Sequence, residues 1–247
     1  MAGPASSRPG WDAFFEASGV SMRVAGVVDP AMHILLTDIL SCPRCGPGFG
    51  LIVLAEGIED RRVREGSLGC ANCRQSFPVL EGVADLRHSA SPPFPAEVPG
   101  GAVGEGMPDT ERSFRLAALL GATGSQSAVL VVEPTGRLAP GVAAVQEGTH
   151  VVGMSGSPPL RHASEGVLSR ILAGGRIPVR SHSLRGVAFA GVDTRPLLGE
   201  AARILMPRGR LVIDPAPAGL SSALRQEGFL IRLEQDGVVV ADAPEAG

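Results

Sequence analysis

Hydrophobic and polar positions alternate along this chain in two distinct styles. Residues 33–40 place apolar side chains at helical spacing and predict a short helix. Residues 49–57 form an apolar, strand-like run, and 58–67 are a charged turn. Residues 68–87 give another strand, with Glu81-Gly82 as a turn. Beyond residue 111 the elements lengthen and alternate. Helices are predicted at 112–121, 138–148, 164–175, 194–207 and 218–229, with Thr194 as an N-cap and glycines closing the third. Strands are predicted at 127–133, 150–154, 176–182, 186–193 and 209–215. Residues 230–242 read as a hairpin turning at Asp236-Gly237. Alternating strands and helices imply an α/β fold with a doubly wound, mostly parallel sheet, and the closing hairpin adds an antiparallel edge.

This pattern divides the chain into an N-terminal extension (1–31), a small α+β module (32–88), a Pro/Gly-rich linker (89–111) and the α/β domain (112–247). The linker holds five prolines and four glycines without periodicity. Met22 and Met32 are both candidate alternative starts, so the extension is either a tail or a mis-assigned leader.

The small module contains all four cysteines of the 247-residue chain, as Cys42-x-x-Cys45 and Cys70-x-x-Cys73. Each pair can place two thiolates on one side of an ion, and two pairs complete a tetrahedral shell for structural Zn²⁺. Such a shell leaves no position for water or substrate. Two disulfides or four free thiols are the alternatives; disulfides suit small secreted domains, and no export signal is visible. A module this small also needs a staple beyond its apolar packing.

Composition narrows the chemistry. All 22 basic residues are Arg, and Lys and Tyr are absent, which excludes a Schiff-base lysine, a P-loop lysine and a phenolic acid or base. The net charge is −3, and residues 32–88 balance six Arg against seven acids, so RRVR (61–64) reads as a solvated turn rather than an RNA contact. No apolar run is long enough to span a bilayer, and a reducing cytoplasm suits thiolate ligands. The five histidines are not spaced as ligands, although His182 is a candidate loop base. Asp193 and Asp214 end predicted strands, at the edge where ligands of such sheets lie; a polar loop residue and a plain turn before Pro215 are the plainer readings.

The motifs ILSCPRCG (39–46), LGC-x-x-C (68–73) and QSFPVLEGVADL (75–86) resemble the small zinc-ribbon activators of tRNA, rRNA and release-factor methyltransferases. That resemblance covers about 55 residues. It implies an apolar ribbon surface that docks on a protein partner or on the chain's own C-terminal domain. Residues 112–247 are similar to class I S-adenosylmethionine-dependent methyltransferases, with a Rossmann-like sheet. VLVVEPTGRL (129–138) occupies the place of the first cofactor motif, and residues 194–213 resemble a late helix and strand of that fold. The resemblance implies cofactor contacts at Glu133, Gly136 and Ser155. Pro134 and Thr135 replace the expected glycine turn, and Ser155 stands where an acid would bond the ribose. A neutral hydroxyl there forgoes a charge-assisted bond of roughly 1.5–3 kcal/mol, and these two departures weaken the case for S-adenosylmethionine. The leading expectation is a non-catalytic zinc-binding scaffold or adaptor. An active methyltransferase with its activator fused in cis, and a zinc-ribbon nucleic-acid binder, are the alternatives.

Overall fold

The computed structural model describes residues 31–97, 109–121, 127–146, 148–157 and 167–245. The N-terminal part runs β1 (Met32–His33), α1 (Leu36–Ile39), β2 (Ser41–Cys42), β3 (Gly46–Gly50), β4 (Ile52–Ala55), β5 (Arg62–Val63), β6 (Gly66–Gly69), β7 (Ser76–Leu80) and β8 (Val83–Asp85). It continues with α2 (Asp109–Leu120), β9 (Ala128–Val132), α3 (Leu138–Val145), β10 (His150–Ser155), β11 (Leu168–Leu172) and β12 (Leu184–Ala190). A 3₁₀ turn at Arg195–Leu197 leads into α4 (Leu198–Ile204), β13 (Leu205–Asp214), α5 (Leu220–Gln226), β14 (Leu230–Gln235) and β15 (Val238–Asp242).

Among the described residues, eleven strands form one sheet in the order β14-β15-β13-β12-β9-β10-β11-β8-β7-β6-β4. From β13 to β8 every neighbouring pair is parallel. The two ends of the sheet are antiparallel. The parallel strands are continuous apolar runs because both faces are covered. Val129, Leu130, Val131 and Val132 are all fully buried. Leu116, Leu120, Leu138 and Val142 of α2 and α3 cover one face. Leu198, Ala201, Leu220 and Leu224 of α4 and α5 cover the other. This is a doubly wound, Rossmann-like α/β architecture. Among the described residues no helix is long and apolar enough to cross a membrane.

The cysteine module extends this sheet. Strand β8 pairs in parallel with β11, Val83 opposite Arg170 and Asp85 opposite Leu172, and the Leu86 N–H continues the ladder to the Leu172 carbonyl at 2.8 Å. The segment before the first knuckle also docks. Leu40 bridges Val179, Ser41 N–H donates to the Pro178 carbonyl at 2.9 Å, and Arg180 N–H donates to the Ile39 carbonyl at 2.8 Å. Met32, Leu36, Leu40 and Phe77 share one core with Val152, Ile171 and Leu184.

Several elements differ from the sequence expectation. The region expected as a helix at 164–175 contains β11, whose five residues are all buried between β10 and β8. A short apolar run has no period that separates a buried strand from a helix, and only its neighbours decide. Residues 176–182 form no strand beyond the single Leu40–Val179 bridge, since Pro178 has no N–H for a ladder. The leading helix shortens to four residues because Met32 and His33 pair with Val63 and Arg62. Thr194 precedes its helix, but its hydroxyl makes no capping bond.

Residues 91–97, at the start of the Pro/Gly-rich stretch, lie across the carboxyl edge of the parallel strands. Gly175 N–H donates to the Pro92 carbonyl at 2.8 Å beyond β11. Phe94 packs on Gly156 just past β10, where an added Cβ would fall 2.6 Å from its side chain. Asp193 N–H donates to the Ala96 carbonyl at 2.8 Å, and Glu97 bridges Val192, both beyond β12.

Candidate metal centre and ligand edge

Cys42 closes β2 and Cys45 follows in a tight turn that Gly46 completes at φ +93°. Cys70 follows β6 and Cys73 ends the second knuckle, with Arg74 in the left-handed region at φ +58°. The hairpins bring all four Sγ atoms within 4.8 Å of one another. Cys42 Sγ lies 3.7 Å from Cys73 Sγ, and Cys70 Sγ lies 3.8 Å from Cys45 Sγ. A disulfide needs sulfurs about 2.05 Å apart, so these four are thiols. A tetrahedron with metal–sulfur bonds of about 2.3 Å has edges of about 3.8 Å, and the two separations match it.

The surroundings favour negative sulfur. Cys45 N–H points at Cys42 Sγ at 3.4 Å, and the Asn72 amide donates to Cys45 Sγ at 3.3 Å. The thiols nevertheless compete. Burial pushes Cys42 up to about 12, against the pull of the Cys45 and Arg44 N–H groups. Burial also raises Cys70, but the Cys73 and Asn72 N–H groups outweigh it and draw the thiol down to about 7. Four thiolates so close together need a cation between them, and this donor set fits one. Cys42 and Cys70 are buried and the other two half-buried.

The expected cofactor residues meet at the carboxyl edge. Glu133 follows β9, and its N–H donates to the Met154 carbonyl at 3.0 Å, which sets it beside Ser155 at the end of β10. Its side chain is 1% exposed. Oε1 accepts from Leu138 N–H at 2.9 Å and from Ala139 N–H at 3.0 Å, and Oε2 accepts from Leu138 N–H at 3.0 Å. The carboxylate therefore caps α3, where the helix dipole favours negative charge. Burial raises its pKa, opposed by the Leu138, Ala139 and Arg137 N–H groups. Gly136, at φ +69°, turns the loop that brings the helix start back to Glu133. The Ser155 hydroxyl donates to the Ser157 carbonyl at 2.8 Å.

Asp193 accepts the Arg195 N–H at 3.2 Å in a local turn. Asp214 is 2% exposed and pairs with Arg115 of α2, so it is a buried ion-pair partner rather than a plain turn residue. His182 precedes β12 and its Nδ1 lies 3.0 Å from the Leu205 carbonyl. It sits at the amino edge of the parallel strands, opposite Ser155, so this candidate loop base stands away from the carboxyl edge where Glu133 and Ser155 lie.

Sequence reading missed a cluster at the seam of the two halves. The Ser169 hydroxyl accepts the His33 N–H at 3.0 Å and lies 2.9 Å from His150 Nε2. The two imidazoles meet edge-on with centroids 5.6 Å apart. No spacing signal announces three residues so far apart in the chain.

No protein-family model and no curated protein matches this chain. Among solved structures it is similar to a chain in a complex of the Haloferax volcanii Trm112 methyltransferase activator with a candidate methyltransferase, at 18% identity over 57% of this chain and 93% of that one, with a TM-score of 0.45. It is similar to Haemonchus contortus phosphoethanolamine N-methyltransferase 2 bound to S-adenosyl-L-methionine, at 12% identity over 55% of this chain and 53% of that one, with a TM-score of 0.43. It is also similar to the antibiotic-resistance methyltransferase Kmr, at 14% identity over 63% of this chain and 99% of that one, with a TM-score of 0.39. These are likenesses in outline at low identity.

Proposed function

We propose that this chain is a zinc-stabilised scaffold or adaptor whose methyltransferase-like sheet has lost catalysis. The observation that carries this reading is the state of the carboxyl edge. Both Glu133 oxygens are engaged by α3, the Ser155 hydroxyl by Ser157, and the 91–97 strap crosses the strand ends with Phe94 against Gly156. The residues expected to hold S-adenosylmethionine thus bond to their own chain, which does not fit the cofactor.

Cys42, Cys45, Cys70 and Cys73 would hold zinc in a closed shell, where the ion compensates the thiolate charge and staples the knuckles. The chain's own residues do the rest. Asn72 and the Cys45 N–H orient sulfurs, and the β8–β11 ladder fixes the ribbon to the sheet. The adaptor role is supported by apolar surface left on the ribbon: Ile52, Leu54 and Leu80 are each more than half exposed, and β4 is the last strand of the sheet.

An active methyltransferase carrying its activator in cis is the second reading, favoured by the continuity of ribbon and sheet and by the positive φ of Gly136. Calorimetric titration of the zinc-loaded chain with S-adenosylmethionine separates the two. The scaffold reading expects no heat at millimolar ligand; micromolar binding would replace it with the enzyme.

A further inference from the structure

We propose that the cavity between the first cysteine knuckle and the carboxyl ends of β8 and β11 binds the phosphate group of a small phosphorylated metabolite. The cavity measures about 500 Å³ and is lined by Pro43, Arg44, His88, Ser89, Ser91 and Arg176. Three separate parts of the fold converge there. Arg44 lies between Cys42 and Cys45. His88 follows β8 by three residues and Arg176 follows β11 by four, and these two strands are parallel neighbours. The site therefore lies at the edge of the sheet where α/β folds bind ligands, displaced from the strap-covered ends of β9 and β10.

Its chemistry is that of an anion receptor. No carboxylate lines the cavity. His88 Nδ1 accepts the Ala90 N–H at 3.1 Å, which leaves the ring proton on Nε2 as a donor. Arg44 and Arg176 make no ion pair with any described residue, so both guanidinium forks remain available to oxygen. An adjoining cavity of about 220 Å³ shares Pro43 and Arg176 and contains Glu200, but that carboxylate is paired with Arg203 at 2.7 Å. Two guanidiniums, an imidazole and two serine hydroxyls around one hollow match the oxygens of a phosphate monoester.

The size and charge of the chain select the ligand class. The hollow is partly open to solvent, and its volume falls in the range of small-molecule sites, about 300–1,000 Å³, which leaves room for an organic part beside the phosphate. A polyanion such as RNA would need a basic track, whereas residues 32–88 carry more acids than arginines. This inference goes beyond the scaffold reading and stands whether or not S-adenosylmethionine binds.

The test is calorimetric titration of the full, metal-loaded chain with ribose 5-phosphate, with ribose as the uncharged comparator and inorganic phosphate as competitor. Ribose 5-phosphate should bind and ribose should not, and inorganic phosphate should displace the ester. Arg44→Gln and Arg176→Gln should each weaken binding about tenfold or more, the cost of a lost charge-assisted bond. Metal content and melting temperature should not change, because both side chains are exposed. Arg176→Gln lies outside the knuckles and keeps the test valid if Arg44→Gln disturbs the metal. Three results would each overturn the proposal: no heat with ribose 5-phosphate at millimolar concentration, undiminished affinity in Arg176→Gln, or binding of single-stranded RNA alone.

Discussion

Replacing Leu40 with Ala probes whether ribbon and sheet fold as one body. Leu40 is fully buried, precedes the first knuckle, and bridges Val179 on the other half. Its core cluster contains Leu36, Leu68 and Phe77 from the ribbon and Val152, Ile171 and Leu184 from the sheet. Truncation removes three carbons and leaves a cavity flanked by backbone pinned at Ser41–Pro178 and Ile39–Arg180, so the gap cannot easily close. Buried Leu→Ala changes cost about 2–5 kcal/mol; a middle value of about 3 kcal/mol lowers the melting temperature of a chain this long by about 6–12 °C. Differential scanning calorimetry should show one transition that moves as a whole. Leu35→Ala, at a site 46% exposed, serves as control and should stay within about 0.5 kcal/mol of the parent. Two transitions of which only the smaller moves, or a shift no larger than that of the control, would refute a shared core.

Cys70→Ser should release the metal and lower the melting temperature of the whole chain by about 10 °C or more, because the ribbon core continues into the sheet; metal analysis and a circular dichroism melt check it. Asp214→Asn should cost about 1.5–3 kcal/mol, because the amide keeps an acceptor for the part-exposed Arg115 but loses the charge that strengthens the bond; a denaturant titration showing a loss below about 1 kcal/mol would contradict it. His150 is held down to about 4 by burial, then by the charges of His33 and Arg62. Between its unfolded value near 6.5 and about 4 the unfolded chain binds the proton and the native chain does not, so stability falls with falling pH by roughly 3 kcal/mol in total. His150→Gln should flatten that slope in denaturant titrations at pH 7 and pH 5, and an unchanged slope would rule His150 out as its source.

The periodic signals were strongest where the structure agrees with them. The apolar cores of the predicted strands, residues 128–132 and 186–190, become central strands, and Asp236-Gly237 turns its hairpin with both φ values positive. The cysteine spacing alone placed four sulfurs together. What could not be read was long-range. Residues 168–172 look helical until their neighbours bury them on both faces. The 89–111 composition reads as a Pro/Gly-rich linker, and nothing in it announces that Pro92, Phe94 and Ala96 find partners at glycines and backbone groups far along the chain. Glu133 was legible as an acid after the first strand, but whether it faces a ligand or its own helix depends on how the 134–137 loop folds back.

In the proposed scaffold one zinc ion, held by Cys42, Cys45, Cys70 and Cys73, staples the root of the ribbon. Zinc-edge X-ray absorption, with elemental analysis of the purified chain, tests this most directly. One zinc per chain with four sulfur neighbours at about 2.3 Å is the predicted result. A chain that carries no metal, or zinc bound through nitrogen and oxygen, would contradict it.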